Sequence, residues 1–399
     1  METTASRVVG TPRRVSLGTI LAVYLRLGIS AFGFTILQQL KAVAVGRSWL
    51  TEEEFGEGLA LVQLYPGPIM LDLTAYVGYK LRGVPGAILA ASGFILPSFF
   101  LMLALSALYF SFGSLPWVHP LFLGLEALVV GVIFQVTLDL GARNIQGRAQ
   151  AFIALAAFSA LLFQLSAILI VLAALVLGAL LIHPEARKPK THSLGLSTSP
   201  HWVAIGAVVA VVLAMAVFAW SLQSEVGTMG LAFFKIGAVA FGNGTTIIPL
   251  VQAEVVNANH WLTLNQFADG IALGQVTPGP FLITAAFVGY KVGGVLGAAL
   301  ATFAIFSPSF AMTLVFTEVF TRLRDLKVIR SALAGVLASF VGLLAVVLLQ
   351  LGAVALTTPA ALALAAGAFV AARWFKLDVV WIFVGGLALW VALLAIGVA

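Results

Sequence analysis

Two basic residues lie inside long apolar runs, at matching places in the two halves of the chain. Arg26 precedes Gly28 by two residues, and Lys235 precedes Gly237 in the same way. A cation at membrane depth is costly unless it faces a partner or a water-filled cavity. A bound anion would offset that cost, and the guanidinium of Arg26 offers an oxyanion a bidentate contact. The alternative is that both side chains extend to the membrane interface.

A second candidate feature is a tripeptide that occurs twice, as Pro66-Gly67-Pro68 and Pro278-Gly279-Pro280. Two prolines around a glycine break a helix, because proline lacks a backbone donor and clashes with the preceding turn. Irregular backbone within a membrane is tolerated inside protein or beside a water-filled cavity. The helix after each tripeptide begins with free N–H groups that suit an oxyanion. Because glycine has no side chain, the oxyanion can approach the backbone closely. A packing kink is the alternative.

Three acidic residues are candidates for proton coupling. Glu57 and Asp269 align between the two copies, about two turns before each tripeptide, and Asp72 follows the first tripeptide. An acid near an anion site can change its protonation during a transport cycle. For Glu57 and Asp269 the alternative is an interfacial helix with a solvated acidic face. Glu126 is a weaker candidate, because the other copy has no acid at the matching position.

Amide and glycine positions beside these breaks supply further candidate anion ligands. Gln63 and Gln275 each lie three residues before a tripeptide and could donate an amide N–H to an anion. The other candidates lie at the Phe-Gly sites of the two copies and are Gly33, Gly242, Asn243 and Gly244. For the amide side chains, a structural hydrogen bond between helices is the alternative.

The composition indicates which class of protein must hold these residues. The 399 residues are 61% apolar and 9% charged, and the mean hydropathy is +1.11. A soluble chain carries roughly a quarter charged residues, so a soluble enzyme, a nucleic-acid binder and a disordered protein are excluded. The chain has no cysteine, and its five histidines show no metal-ligand spacing. We therefore predict no metal and no cofactor.

Apolar runs of about 20 residues predict an all-α integral membrane protein with about 11 to 13 membrane segments. The predicted segments are residues 16–45, 56–79, 84–112, 119–140, 149–182, 202–222, 228–251, 262–290, 295–316, 331–350, 358–372 and 377–398. The run 149–182 is too long for one crossing, so Gln164 and Ser166 are expected to split it into a hairpin. Basic residues fall in alternate loops, which predicts a cytoplasmic N-terminus and an external C-terminus.

The strongest pattern is an internal repeat. Besides the tripeptides, Trp49-Leu50-Thr51 recurs as Trp261-Leu262-Thr263, and Pro97-Ser98-Phe99 recurs as Pro308-Ser309-Phe310. An extra helix between the copies makes the second copy start from the opposite side of the membrane. The sequence therefore predicts two inverted repeats, with helices broken at Pro-Gly-Pro, as in many secondary transporters. If that helix does not cross, the duplication is parallel. The predicted division is a first repeat at 1–182, a cytoplasmic linker at 183–200, the inverting helix at 201–222 and a second repeat at 223–399.

These repeated residues resemble the chromate ion transporter family in its long two-repeat form. The similar features are a basic residue before Gly and Phe-Gly, a Trp before an amphipathic stretch, Gln before Pro-Gly-Pro, and a later Pro-Ser, all duplicated. The first copy departs from the family pattern, with Phe32-Gly33-Phe34-Thr35 in place of Phe-Gly-Gly-Pro. The resemblance implies an efflux carrier for chromate, driven by the proton motive force, in a bacterial or archaeal inner membrane. It also implies sulfate as a structural analogue of the substrate.

We therefore predict a secondary active transporter of a tetrahedral oxyanion and not an enzyme. This transport is expected to be coupled to the proton motive force or to anion exchange. The alternatives are a carrier for sulfate or another oxyanion, working inward, and an anion channel. An integral-membrane enzyme would need acids, histidines or metal ligands that converge at one depth, and the sequence has too few. The expected partners are a chromate-like or sulfate-like anion, protons and the lipid bilayer, with no nucleic acid. A homodimer is left open.

Overall fold

The computed structural model describes residues 15–30, 32, 36–112, 118–182, 201–242, 244–323 and 327–397, which are mostly helical. The helices are α1 (Leu17–Ser30), α2 (Ile36–Gly46), α3 (Glu52–Leu61), α4 (Ile69–Phe112), α5 (Val118–Asn144), α6 (Arg148–Leu162), α7 (Ala167–Leu181), α8 (Trp202–Ser221), α9 (Glu225–Val239), α10 (Ile248–Gln252), α11 (Leu264–Val276), α12 (Thr284–Leu323), α13 (Lys327–Ala355), α14 (Pro359–Arg373) and α15 (Val379–Ala395). Two short strands, β1 (Gly67–Pro68) and β2 (Phe241–Gly242), pair in parallel.

Five helices within the described residues, α4, α5, α8, α12 and α13, contain stretches long and apolar enough to cross a membrane. Five further apolar helices, α1, α6, α7, α14 and α15, are shorter. Large apolar side chains such as Phe163, Val203 and Leu296 are more than four-fifths exposed, as lipid contact requires. The prediction of an all-α membrane protein is confirmed, whereas the number of crossings stays a prediction.

The predicted segment 56–79 is not one continuous crossing. α3 ends before the first tripeptide, and α4 begins directly after it. The two helices lie side by side, because the Tyr76 hydroxyl donates to the Glu54 carbonyl over 3.3 Å and Gly58 packs on the Tyr76 ring. A straight path would separate Glu54 from Tyr76 by about 30 Å. Pro66, Gly67 and Pro68 therefore form the tip of a helical hairpin, here named the first tip.

The second copy contains the same hairpin. Gly270 of α11 packs on Phe287 of α12, and Gly274 packs on Thr284, so these two helices also lie side by side. Reading the segment 262–290 as a single crossing is wrong for the same reason. The second tripeptide, Pro278-Gly279-Pro280, is named the second tip.

The entering helix of each hairpin begins at the repeated Trp-Leu-Thr. Thr51 Oγ1 accepts the Glu54 N–H over 3.1 Å, and Glu54 Oε2 accepts the Thr51 N–H over 2.8 Å. Thr263 and Gln266 form the matching bonds of 3.2 Å and 3.1 Å. Such a capping box satisfies two donors that the helix start leaves free. The repeated sequence therefore produces a repeated local structure.

The two longest helices each fold back on themselves. α4 leaves helical geometry at Arg82 and Gly83, and α12 does so at Gly293 and Gly294. The second residue of each pair is a glycine, and the backbone angles of these two glycines agree closely. They are φ 63° and ψ −151° at Gly83 and φ 58° and ψ −145° at Gly294. Only glycine adopts this conformation without strain. Each helix is thus a short arm, which belongs to the hairpin, joined by a turn to a long arm.

The predicted segments 16–45 and 228–251 are also interrupted. α1 ends at Ser30 and α2 begins at Ile36, while α9 ends well before α10. The rings of Tyr24 and Trp49 lie 6.4 Å apart, whereas a straight helix would separate these residues by about 37 Å. The chain therefore changes direction after α1 and does not cross as one straight helix.

The two halves of the chain are intertwined. The α6–α7 pair packs against α13 of the second half, and the α14–α15 pair packs against α5 of the first. Gly178 of α7 meets Gly335 of α13, and Gly131 of α5 meets Ala365 of α14. Small residues at such crossings let helices approach closely in lipid. The break between α6 and α7 falls at residues 163–166, in the predicted hairpin.

Helix α8 lies at the edge of the molecule and occupies the place predicted for the inverting helix. At its start, His201 lies against the turn of α4, where a Cβ added to Gly83 would be 2.9 Å from the imidazole ring. Beyond its other end, Val226 lies against Gly293 at the turn of α12. The 20 residues of α8 span about 30 Å. The turns of α4 and α12 therefore lie at opposite ends of α8, while the linker 183–200 is outside the described residues.

Candidate functional site

The two tips contact opposite halves of the chain at corresponding places. Gly67 of the first tip packs on Ser309 in the long arm of α12, and Gly279 of the second tip packs on Ser98 in the long arm of α4. Both serines belong to the repeated Pro-Ser. The tips and these two serines form one region to which both halves contribute.

A short segment of the second half lies between the tips. Phe241 and Gly242 pair with the first tip as strand β2, and Gly244 packs on Phe281, directly after the second tip. Gly242 (φ 94°) and Gly244 (φ 62°) have left-handed backbones, which glycine adopts without strain. The structure thus brings these two predicted site glycines to the tips. The predicted residues Gly33 and Asn243 lie outside the described residues.

The first tip carries a carboxyl group. Asp72 is fully buried, and neither of its oxygens accepts a hydrogen bond within the described residues. A Cβ added to Gly67 would lie 2.0 Å from Asp72 Oδ2 and 2.7 Å from Ser309 Cβ. Side chains of the protein therefore fill the space that a Cβ of Gly67 would take, as Ser98 Oγ does at Gly279. The approach of an oxyanion to these two glycines stays a prediction.

Hydroxyl groups surround Asp72 and direct their protons elsewhere. Ser309 and Thr313 both lie beside Asp72. Ser309 donates to the Phe306 carbonyl over 3.2 Å, and Thr313 donates to the Ser309 carbonyl over 2.9 Å. The Tyr65 and Thr313 hydroxyls share a 2.8 Å hydrogen bond. A proton on Asp72 could be donated to these oxygens, and a small cation could be bound by the same group.

The second tip carries hydrogen-bond donors instead. Ser98 Oγ and Gln275 Nε2 are both buried and have no partner within the described residues. Ser98 Oγ lies 1.9 Å from the place of a Cβ on Gly279, and Gln275 is in the last turn of α11, directly before the tip. Two unpaired donors at the break before α12 suit an anion, which accepts hydrogen bonds and is favoured by a helix N-terminus. The first tip, with its carboxyl group, does not.

The two predicted intramembrane cations face away from the tips. Arg26 is exposed on α1, and Lys235 is exposed on α9. Two residues further along each helix, Gly28 packs on Pro97 and Gly237 packs on Ile305. Positions two residues apart point to nearly opposite sides of a helix. The structure therefore places both cations on the outer faces of helices whose inner faces contact the long arms.

The remaining predicted residues lie on the entering helices, and their surroundings differ between the two copies. Gln63 is exposed, whereas the matching Gln275 is partly buried. Glu57 is half-buried near Tyr76. The matching Asp269 is 5% exposed and accepts a 2.5 Å hydrogen bond from the Tyr109 hydroxyl.

Several residues of these clusters were not predicted as site residues. Ser98 and Ser309 could have been found, because the Pro-Ser pair recurs in both copies. Tyr109 and Thr313 carry no such signal, since they are single polar groups in apolar helices. Glu126 was a weaker candidate for lack of an acidic counterpart, but its side chain contacts that of Asp269.

Comparison with known proteins identifies the family. A family model described as Chromate transporter matches residues 18–179 and 227–391, which are the two halves on either side of α8. This chain belongs to the chromate transporter family. The resemblance drawn from the repeated motifs is confirmed. As a member of this family with long apolar helices, the protein is a multi-pass protein of a bacterial or archaeal plasma membrane.

The sequences of several relatives align with most of this chain. The chromate transport protein of Cupriavidus metallidurans is 32% identical over 86% of this chain and 84% of its own. The chromate transport protein of Pseudomonas aeruginosa is 31% identical over 95% of this chain and 93% of its own. An uncharacterised transporter of Methanocaldococcus jannaschii is 34% identical over 82% of each chain. No solved structure matches the chain.

Proposed function

We propose that this chain is a secondary active transporter that moves chromate across the plasma membrane. Two of its relatives are named for chromate transport. The observation that carries the proposal is the pair of buried donors without acceptors, Ser98 Oγ and Gln275 Nε2, at the second tip. A buried donor left unpaired costs about 1–3 kcal/mol. A tetrahedral dianion has enough acceptor oxygens to satisfy both donors at once.

The proposed anion site is asymmetric and centres on the second tip. Pro278, Gly279 and Pro280 form the break before α12, whose first N–H groups carry partial positive charge. The proposed anion-binding residues also include those at the Phe-Gly sites, which are Gly33, Gly242, Asn243 and Gly244. The first tip, Pro66-Gly67-Pro68, borders the proposed site on its other side, where β1 pairs with β2.

The exposed side chains Arg26, Lys235 and Gln63 belong to the entry route in this proposal. Cations on the outer faces of α1 and α9 attract a dianion toward the protein and raise its local concentration. Because Arg26 and Gly28 lie on opposite faces of α1, a bound anion cannot contact Arg26 and the second tip together in this conformation.

The proposed repeats are inverted across the membrane. The support is that the turns of α4 and α12 lie at opposite ends of α8, a helix of membrane length. This arrangement agrees with a cytoplasmic N-terminus and an external C-terminus. The proposed units remain residues 1–182 and 223–399, joined by the linker and the inverting helix.

The proposed transport is outward, giving chromate resistance, and uses the proton motive force or anion exchange. Asp72, Glu57 and Asp269 are the candidate proton-binding groups. Asp72 fits this role well, because its buried oxygens have no donor and lie beside two hydroxyl groups. A buried acid of this kind in a membrane is a functional group in most proteins.

Counterflow in proteoliposomes tests the proposal. Vesicles preloaded with unlabelled chromate should transiently accumulate labelled chromate, with a rate that saturates as the concentration rises. Internal sulfate should replace chromate in part, and an imposed pH gradient should change the rate. A correctly inserted protein that shows no counterflow, or flux that never saturates, would contradict a carrier for chromate.

A further inference from the structure

Two buried acids from different helices face each other away from the tips. Glu126 of α5 is 1% exposed, and Asp269 of α11 is 5% exposed. Their side chains lie within hydrogen-bonding reach of one another. Glu126 Oε2 and Asp269 Oδ1 receive no hydrogen bond from any donor in the described residues. Because a carboxylate accepts but does not donate, the contact requires a proton on one of the two groups.

Neutral donors engage the other oxygen of each acid. The Tyr109 hydroxyl donates to Asp269 Oδ2 over 2.5 Å, and Asn265 Nδ2 donates to Glu126 Oε1 over 3.4 Å. Each acid therefore has one oxygen bound by a neutral group and one oxygen left for its partner. This arrangement suits one carboxyl group and one carboxylate that share a single proton.

The surroundings supply no positive charge to the pair within the described residues. Tyr109 of α4 is the other titratable group that interacts with both acids. Lys291 of α12 lies instead over the Phe110 ring, 5.2 Å from its centroid. The helices α13 and α15, which also pack on α11, carry no charge beyond Lys327 and Arg330 at the start of α13. Two carboxylates in such a site would repel each other strongly.

Aromatic rings pack around the tyrosine of this cluster. The rings around Tyr109 lie 5.0–5.1 Å from it between centroids and belong to Phe110, Phe122 and Phe287. A low local dielectric increases the repulsion between two charges and the benefit of a shared proton.

We propose that Glu126 and Asp269 form a proton-binding site, which holds one proton between two carboxyl groups and fastens α11 to α5. Release of that proton to water leaves two facing carboxylates, whose repulsion separates the two helices. Because α11 leads directly into the second tip, this separation displaces Gln275. The consequence for transport rests on the proposed function, whereas the binding of the proton does not.

Infrared difference spectroscopy between acid and alkaline pH tests the site on purified full-length protein without any anion. The wild type should show a C=O band of protonated carboxyl groups, and one component of it should be lost in both Glu126→Gln and Asp269→Asn. Glu225→Gln is the matched control, because Glu225 is an exposed acid in the first turn of α9. The same band in the wild type and in both pair variants would overturn the proposal.

Thermal unfolding across pH gives a second test. The shared proton stabilises the folded state, so the melting temperature of the wild type should fall as the pH rises and the proton leaves. The double variant Glu126→Gln with Asp269→Asn keeps a hydrogen bond between two amides and should lose this fall. A double variant with the pH dependence of the wild type would contradict the proposal. Neither test uses chromate, so a failed counterflow would reject the transport proposal and leave the proton site standing.

Discussion

At the scale of single residues, unpaired polar atoms distinguish two tips that are identical in sequence. Asp72 presents acceptors at the first tip, and Ser98 with Gln275 presents donors at the second. The sequence predicted the tips as equivalent anion sites, because both read Pro-Gly-Pro after a glutamine. The difference comes from contacts between residues far apart in the chain, such as Gly67 with Ser309, which no local pattern indicates.

The two exposed cations provide a prediction at this scale. Arg26→Gln and Lys235→Gln should each raise the KM for chromate by about ten-fold, because cations of this kind attract an anionic substrate and raise its local concentration by that factor or more. The measurement is the initial rate of chromate flux against concentration, normalised to inserted protein. Arg148→Gln, an exposed cation at the start of α6, is the control. An unchanged KM in both variants would assign these cations to the membrane interface.

At the scale of elements, the repeated motifs produce the same hairpin twice. The capping boxes at Thr51 and Thr263 and the left-handed glycines at the two turns are local features that recur in both copies. The sequence predicted helix breaks at the two tripeptides. It did not show that the chain returns at each tip. Hydropathy counts apolar residues along the chain and cannot distinguish a kinked crossing from a hairpin. Contacts between the two helices reveal the hairpins, such as Gly58 with Tyr76 and Gly270 with Phe287.

The close packing of the two arms of α12 provides a prediction at this scale. A Cβ added to Gly289 would lie 2.4 Å from the Gly297 carbonyl oxygen, a backbone atom that cannot rotate away. Gly289→Ala should therefore cost about 1–3 kcal/mol of stability and lower the melting temperature by several degrees. Gly206→Ala in α8 is the control, because nothing lies within 4 Å of its added Cβ. Equal melting temperatures for the two variants would show that the arms are not packed together.

At the scale of the whole molecule, each half supplies helices that pack on the other. The family match covers both halves and stops on either side of α8. The sequence predicted this duplication and the membrane-spanning class from composition and repeated motifs. It could not predict the exchange in which α6 and α7 pack on α13 while α14 and α15 pack on α5, because apolar helices carry little pairing information.

Inversion of the two halves provides a prediction at this scale. Lys80 and Lys291 occupy matching repeat positions near the two turns, and the chain has no cysteine of its own. Single variants Lys80→Cys and Lys291→Cys should react with a membrane-impermeant maleimide from opposite sides, Lys80→Cys from the cytoplasmic side. Labelling of both from one side would support the parallel duplication instead.

Chromate binding to purified protein tests the central claim most directly, that an oxyanion binds at the second tip. Titration calorimetry should show saturable binding of chromate that sulfate competes for. In the variants Ser98→Ala and Gln275→Leu the affinity should fall about ten-fold or more for each donor removed. Ser106→Ala is the matched control, because this buried serine already donates to the Met102 carbonyl over 2.7 Å, and it should bind as the wild type does. Wild-type affinity in both donor variants would contradict the claim and place the anion elsewhere.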